Sequence, residues 1–250
     1  MEITSLIILF FVGNLAGFIN VLAGGGSSLT LPTLILLGLD SATANGTNRL
    51  AILMQNIFAI TGYEQEKMNR FKISFRLALF TLPGAVVGAF LAIQISDIWF
   101  QRILSLIIIL VAGSLFIPKP DTGNSTDTGF SIPRWLGYIF LFLLGFYGGF
   151  IQVGIGFLIM VVLYHFIERS LVAVNVHKVF IILLYTIPAL FVFALSGQIN
   201  WFLGFALAAG NSLGGWIAAR LSVKKGEKII RYILALMLIV MAGKIAWQSL

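Results

Sequence analysis

The chain has no cysteine. That excludes disulfides, thiolate metal sites and cysteine nucleophiles. Charge is also scarce: Asp, Glu, Lys and Arg make up 10% of its 250 residues, against about 25% in a soluble domain. Acidic residues are the rarer sign, 9 against 16 Lys and Arg. No pair of carboxylates is embedded in a hydrophobic segment, which excludes an aspartyl protease or a carboxylate-pair proton relay. Enzymatic signatures are missing as well. No HExxH, GxSxG, Walker A or GxGxxG pattern occurs, so nothing marks a hydrolase, a nucleotide site or a dinucleotide cofactor. The chain is read as not an enzyme, with no cofactor and no metal site.

What the chain does contain is apolar. Hydrophobic residues reach 59% and mean hydropathy is +1.02. Runs such as residues 103–116 and 139–146 cannot all hide in one soluble core. The sequence therefore describes an all-α integral membrane protein with many spans. The runs do not alternate apolar and polar residues, as a transmembrane β-barrel would. The net charge of +7 does not indicate nucleic acid, because the basic residues gather in short loops, the usual topology signal of a membrane protein. The start, Met1-Glu2-Ile3-Thr4, lacks the positive region of a secretory signal, so the first segment is read as retained.

Loops and breaks predict ten hydrophobic segments, with cores at 3–22, 28–39, 42–62, 73–95, 99–117, 133–151, 156–167, 170–196, 200–219 and 229–248. The only long polar stretch is 118–133, with Pro118, Pro120, Gly123, Asn124 and Asp127. It divides a first membrane repeat (1–117) from a second (134–250). Leu15-Ala16-Gly17-Phe18 matches Leu143-Leu144-Gly145-Phe146. The run from Ala44 to Arg49 lies over that from Ala173 to Lys178, and Gly84 and Gly88 lie over Gly210 and Gly214. The near-constant order and spacing argue for duplication.

The loops orient the repeats. After segment three come Lys67, Arg70, Lys72 and Arg76; the counterpart loop, 196–200, has no charge. After segment four come only Asp97 and Arg102, whereas the counterpart carries Arg220, Lys224, Lys225, Lys228 and Arg231. Positive charge at opposite corners implies two inverted-topology repeats of about five segments each, with both basic loops cytoplasmic and both termini outside. Segments two and seven are short. The thirteen residues 27–39 reach only about 20 Å as helix, against a hydrocarbon core of roughly 30 Å. They are either re-entrant half-helices or the second part of an extended crossing.

Each short segment follows a glycine break. The first is Gly24-Gly25-Gly26-Ser27-Ser28; the second is Gly148-Gly149 followed by Gln152-Val153-Gly154-Ile155-Gly156. Glycine allows a ligand close to the main chain, and a helix that starts after a break presents free N–H groups and partial positive charge to an anion. Close helix packing is the competing explanation, and it suits the isolated pair Gly84 and Gly88. Arg49 lies eight residues into segment three, with Lys178 as its repeat counterpart. A cation inside a membrane segment is costly unless paired, and no acidic residue lies within a helical turn of either, so an anion could supply the charge. The alternative is snorkelling, or hydrogen bonding to a broken helix end. His177, over Asn48, is a candidate proton carrier or a packing group. Asn45, Thr47, Asn48, Gln55 and Asn56 make segment three polar on a face expected to point inward. Asp40 and Ser170 read as helix N-caps.

Around these residues the chain resembles the TauE/SafE (sulfite exporter, TSUP) family over nearly its whole length. The resemblance rests on Leu22-Ala23-Gly24-Gly25-Gly26, Leu31-Pro32, Ala44-Asn45-Gly46-Thr47 and the helix starts Ile73-Ser74-Phe75 and Ile199-Asn200-Trp201. It implies a multi-pass transporter of the bacterial cytoplasmic (inner) membrane for sulfite, sulfonates such as sulfoacetate, or related organic anions. The resulting expectation is a secondary transporter working by alternating access, with a passive anion channel as the alternative. Substrate-binding candidates are Gly24, Gly25, Gly26, Ser27, Ser28, Asn45, Thr47, Asn48 and Arg49, with Gln152, Gly154, Gly156, Asn175, His177 and Lys178. The expected partners are a small anion and the lipid bilayer. H+ and Na+ are candidate coupling ions, and a homodimer is a candidate assembly.

Overall fold

The computed structural model describes residues 3–113, 134–230 and 232. The linker 118–133 and nearly all of the tenth segment, 229–248, lie outside the described residues. Among those described, nine helices follow the expected segments: α1 (Ile3–Ala23), α2 (Ser27–Leu36), α3 (Ser41–Gln65), α4 (Phe71–Gln94), α5 (Asp97–Gly113), α6 (Arg134–Phe150), α7 (Ile155–Phe166), α8 (Leu171–Leu195) and α9 (Trp201–Lys225). The chain is an all-α membrane protein. Helices α1, α4, α8 and α9 are each long and apolar enough to cross a bilayer, and Phe11, Phe191 and Leu195 stand on their outer faces.

Starts and stops are set by local chemistry. The Asp40 carboxylate accepts from the Thr43 N–H, Ser170 Oγ from the Ala173 N–H and Asn200 Oδ1 from the Leu203 N–H. Each satisfies a donor that the first helical turn leaves free. Helix α3 has 25 residues. Its polar side chains Asn45, Thr47, Asn48, Arg49, Gln55 and Asn56 are all buried, so it keeps its polar face inside the protein.

Pairwise contacts fix the helix directions. Helices α1 and α9 run alongside each other, Gly13 on Leu207, Gly17 on Asn211 and Gly214 on Asn14. Helix α9 runs with α3, through Gly204 at Thr47, Gly215 at Gln55 and Ser222 at Tyr63. Helices α4 and α6 match in the same way, Gly145 on Thr81, Gly84 on Phe142 and Gly149 on Ala85. The start of α3 meets the end of α8, where Gly46 abuts Phe193 and Gln198. The third helices of the two repeats are therefore antiparallel, which is the inverted arrangement.

The short segments turn back. Asn20 of α1 bonds to Gln55 of α3, whereas Thr30 of α2 bonds to Asn48, earlier in α3. In the second copy Gly148 of α6 lies on Tyr185 of α8, whereas Met160 of α7 meets Lys178, earlier in α8. Each break is the tip of a re-entrant hairpin. Helices α2 and α7 have 10 and 12 residues, about 15 and 18 Å, too short to cross alone.

The contacts also correct the repeat register. Asp97 accepts from the Ser41 N–H and Glu227 from the Leu171 N–H, which equates residues 130 apart. Thr81 with Asn211 and Gly84 with Gly214 follow the same offset. The alignment of Gly84 over Gly210 is thus displaced by one helical turn. A glycine every fourth residue fits either register, so sequence alone could not choose. Asn45 corresponds to Asn175 and Thr47 to His177; Asn48 is not the counterpart of His177.

Candidate functional site

The two buried cations each hold the broken end of the opposite repeat. Arg49 donates from Nη1 to the Gly148 carbonyl at 3.0 Å and from Nη2 to the Gly149 carbonyl, both at the end of α6. Lys178 donates from Nζ to the Asn20 and Val21 carbonyls at the end of α1, at 3.1 and 2.6 Å. An asparagine completes each side. Asn45 Nδ2 donates to the Phe150 carbonyl at 2.7 Å, and Asn175 Nδ2 to the Leu22 carbonyl at 3.5 Å. Asn45 Oδ1 accepts from Arg49, and Asn175 Oδ1 from Lys178. Arg49 is four residues after Asn45 and Lys178 three after Asn175. Both spacings lie on one helix face, so the same role is reached from neighbouring positions.

The physical cause is the helix end. The last turns of α1 and α6 expose carbonyls not fully used within the helix, and each helix end carries about half a negative charge in total. Hydrogen bonding to a broken helix end, one alternative left open by the sequence, is the arrangement both cations adopt. The carbonyls compensate only part of the charge. Arg49 and Lys178 are 0% and 1% exposed, and among the described residues no Asp or Glu is buried. Phe193 stacks beneath the Arg49 guanidinium at 4.8 Å, a further weak stabilisation of the cation.

The two breaks meet at the centre. Gly24 lies directly against the backbone of Gly156 and Phe157, with no room for a side chain at either glycine. Helices α2 and α7 begin beside this contact and direct their positive ends to it. Ser28 Oγ donates to the Gly25 carbonyl, and Thr30 Oγ1 to Asn48 Oδ1. In the second break Gln152 takes a left-handed φ of 62° and Gly154 one of 71°. The Tyr147 hydroxyl holds the Val153 carbonyl, and Gln152 Nε2 reaches Thr186 Oγ1 at 3.3 Å. A left-handed non-glycine in a buried turn is costly and persists only where its surroundings enforce it. Residues 20–27, 151–156 and 173–179 are buried throughout.

Several buried polar atoms near the two breaks have no hydrogen-bond partner: Asn48 Nδ2, Arg49 Nε, Gln152 Oε1 and the Tyr185 hydroxyl. Asn48 and Arg49 are adjacent, Arg49 bonds to Gly148, Gly148 lies on the Tyr185 hydroxyl, and Thr186 beside it holds Gln152. Three of the four atoms are donors. The structure thus brings Gly24, Gly25, Gly26, Ser27, Ser28, Asn45, Asn48, Arg49, Gln152, Gly154, Gly156, Asn175 and Lys178 to the breaks or their latches. Two candidates point elsewhere. Thr47 Oγ1 accepts from the Asn200 N–H at 2.9 Å, and His177 faces Ser74 and Glu168. Tyr185, Thr186 and Asn20 escaped the sequence reading; Tyr185 is the counterpart of Gln55, visible only in the corrected register.

At the basic end Glu66 pairs with Arg220 at 2.9 Å and Lys224 at 3.4 Å, and Arg70 with Glu168 at 3.3 Å. Both basic loops therefore lie at one end of the molecule.

Sequence comparison identifies the chain's relatives. A family described as "Sulfite exporter TauE/SafE" matches residues 9–245. The chain is similar to a "Probable membrane transporter protein" of Haemophilus influenzae, 27% identical over 98% of this chain and 95% of the relative. It is similar to the "Probable membrane transporter protein YfcA" of Escherichia coli, 29% identical over 97% and 90%. The "Probable membrane transporter protein YunE" of Bacillus subtilis is 26% identical over 98% and 99%. No solved structure matches the chain.

Proposed function

Because the chain belongs to the sulfite exporter TauE/SafE family, we propose that it is a secondary transporter of a small oxyanion: sulfite, a sulfonate such as sulfoacetate, or a related organic anion. It works by alternating access in the bacterial cytoplasmic membrane, with its basic end in the cytoplasm. One observation carries the choice of an anion. Two cations, Arg49 and Lys178, are buried, no carboxylate is buried among the described residues, and each helix end offers only about half a charge. The closed core therefore retains net positive charge that an oxyanion neutralises.

The unpartnered donors suggest where its oxygens go. Arg49 Nε, Asn48 Nδ2 and the Tyr185 hydroxyl are free to donate, and Arg49 and Tyr185 both lie at Gly148, beside the second break. An anion there competes with the α6 carbonyls for the guanidinium. Loosening this latch frees one repeat to rock against the other, while Lys178 still holds α1.

The test is substrate accumulation in liposomes driven by an ion or pH gradient. Arg49→Ala, inserted to the wild-type level, loses about tenfold or more of the initial rate, the equivalent of roughly 1.4 kcal/mol of binding. Undiminished accumulation by that variant counts decisively against the site. A wild-type protein that only dissipates a substrate gradient is a passive anion channel.

A further inference from the structure

His177 lies away from the breaks, at the basic end of α8, with no exposed side-chain surface. Its Nδ1 is 2.8 Å from Ser74 Oγ, and its Nε2 is 3.2 Å from Glu168 Oε2. The other oxygen of Glu168 takes a hydrogen bond from Arg70 Nη2 at 3.3 Å. Glu168 and Arg70 side chains are 27% and 44% exposed. The buried ring therefore has a carboxylate neighbour that reaches solvent. We infer that His177, Ser74 and Glu168 form a proton-binding site, and that its proton is the ion coupled to transport.

The Ser74 hydroxyl makes the site reversible. It has one proton and two acceptors, His177 Nδ1 at 2.8 Å and the Arg70 carbonyl at 3.0 Å. That carbonyl already accepts the Ser74 N–H at 3.1 Å, so the hydroxyl can leave it without stranding it. With a neutral ring, Ser74 O–H donates to Nδ1 and Nε2–H donates to Glu168. On protonation a second N–H forms at Nδ1 and donates to Ser74 Oγ, and the hydroxyl turns to the Arg70 carbonyl. The balance is one proton: hydronium becomes water and the imidazole gains its second N–H. No hydrogen-bonding group is orphaned in either state, and the Glu168 carboxylate offsets part of the desolvation cost of charging a buried ring.

The cluster also joins the repeats. Ser74 and Arg70 belong to the first, His177 and Glu168 to the second. The charged groups acting on the ring are Glu168 and Arg70; Lys178, next in sequence, turns away to the end of α1. An imidazolium strengthens the contact with Glu168 and tightens the basic end, and a neutral ring loosens it. The equivalent link at the other end, Thr47 Oγ1 to the Asn200 N–H, cannot titrate. Proton occupancy thus biases one face only, as directional coupling requires. The coupling half rests on the transport reading; the proton site does not.

The chain has two histidines, so His165→Asn leaves a single imidazole for nitrogen-15 NMR in detergent. The expected result is a reversible change of protonation state across the pH range in which the folded protein is stable. Glu168→Gln lowers its midpoint by about one unit, a tenfold loss of proton affinity. A ring that keeps one protonation state across that range overturns the site. In liposomes loaded with a pH dye, wild-type protein moves protons with sulfite or sulfoacetate, and His177→Gln moves none. Wild-type proton movement by His177→Gln overturns the coupling even if the ring titrates. Wild-type liposomes that carry neither anion overturn it together with the transport reading, and the titration still decides the proton site.

Discussion

Gly24 adopts a φ of +79°, and a methyl group there would overlap the backbone of Gly156 and Phe157. Two penalties therefore act on Gly24→Ala. The left-handed backbone costs an alanine about 1–2 kcal/mol, and forcing extra volume into a packed core about 1–3 kcal/mol. Gly38 separates them, since its φ is +93° but nothing lies within 4 Å of its would-be side chain. Gly38→Ala should lower the detergent melting temperature by a few degrees, and Gly24→Ala should lower it clearly further. Equal shifts would show that the two breaks do not touch. The sequence marks Gly24 as a break because glycines cluster there. It does not reveal that the opposing surface is Gly156, since no local pattern connects residues so far apart.

Helix ends carry the energetics at the next scale. The N-caps of α3 and α8 are legible from Asp40 and Ser170 because capping depends on a few adjacent residues. The C-terminal ends of α1 and α6 are different: their caps are Lys178 and Arg49, from distant helices. The end of α3 gives a measurable case. Glu66, its C-cap residue, pairs with Arg220 and Lys224 of α9. Hydrogen bonding from Arg220, then from Lys224, holds its carboxyl below the ordinary 4.5. A depressed folded-state value stabilises the fold fully above the unfolded carboxyl's range. That contribution is lost as pH falls through the lowered value. Wild-type protein should therefore outlast Glu66→Gln on heating at pH 7, and the gap should close below about pH 4.5. A gap independent of pH would remove the ion pairs from the account.

At the scale of the whole molecule, the hairpins place Gly38 on the side where α1 enters. The absence of cysteine lets single-cysteine variants report this without background. Gly38→Cys and Gly197→Cys should react with an impermeant maleimide from outside intact cells, together with an N-terminal tag. Asn69→Cys and Gly226→Cys should react only after lysis. Gly38 labelling from the side opposite the N-terminal tag would mean that α1 and α2 together cross the membrane, and the hairpin would be wrong. Membrane residence, the helical class, the two halves and the inversion were all determined by the sequence itself. Hydropathy and loop charge act locally and survive the loss of three-dimensional context. Only the tertiary structure decided that the short segments turn back, that the repeats align 130 residues apart, and that Arg49 and Lys178 latch each other's broken helices. Those facts depend on which backbone carbonyl lies within reach of which distant side chain, and packing alone selects that.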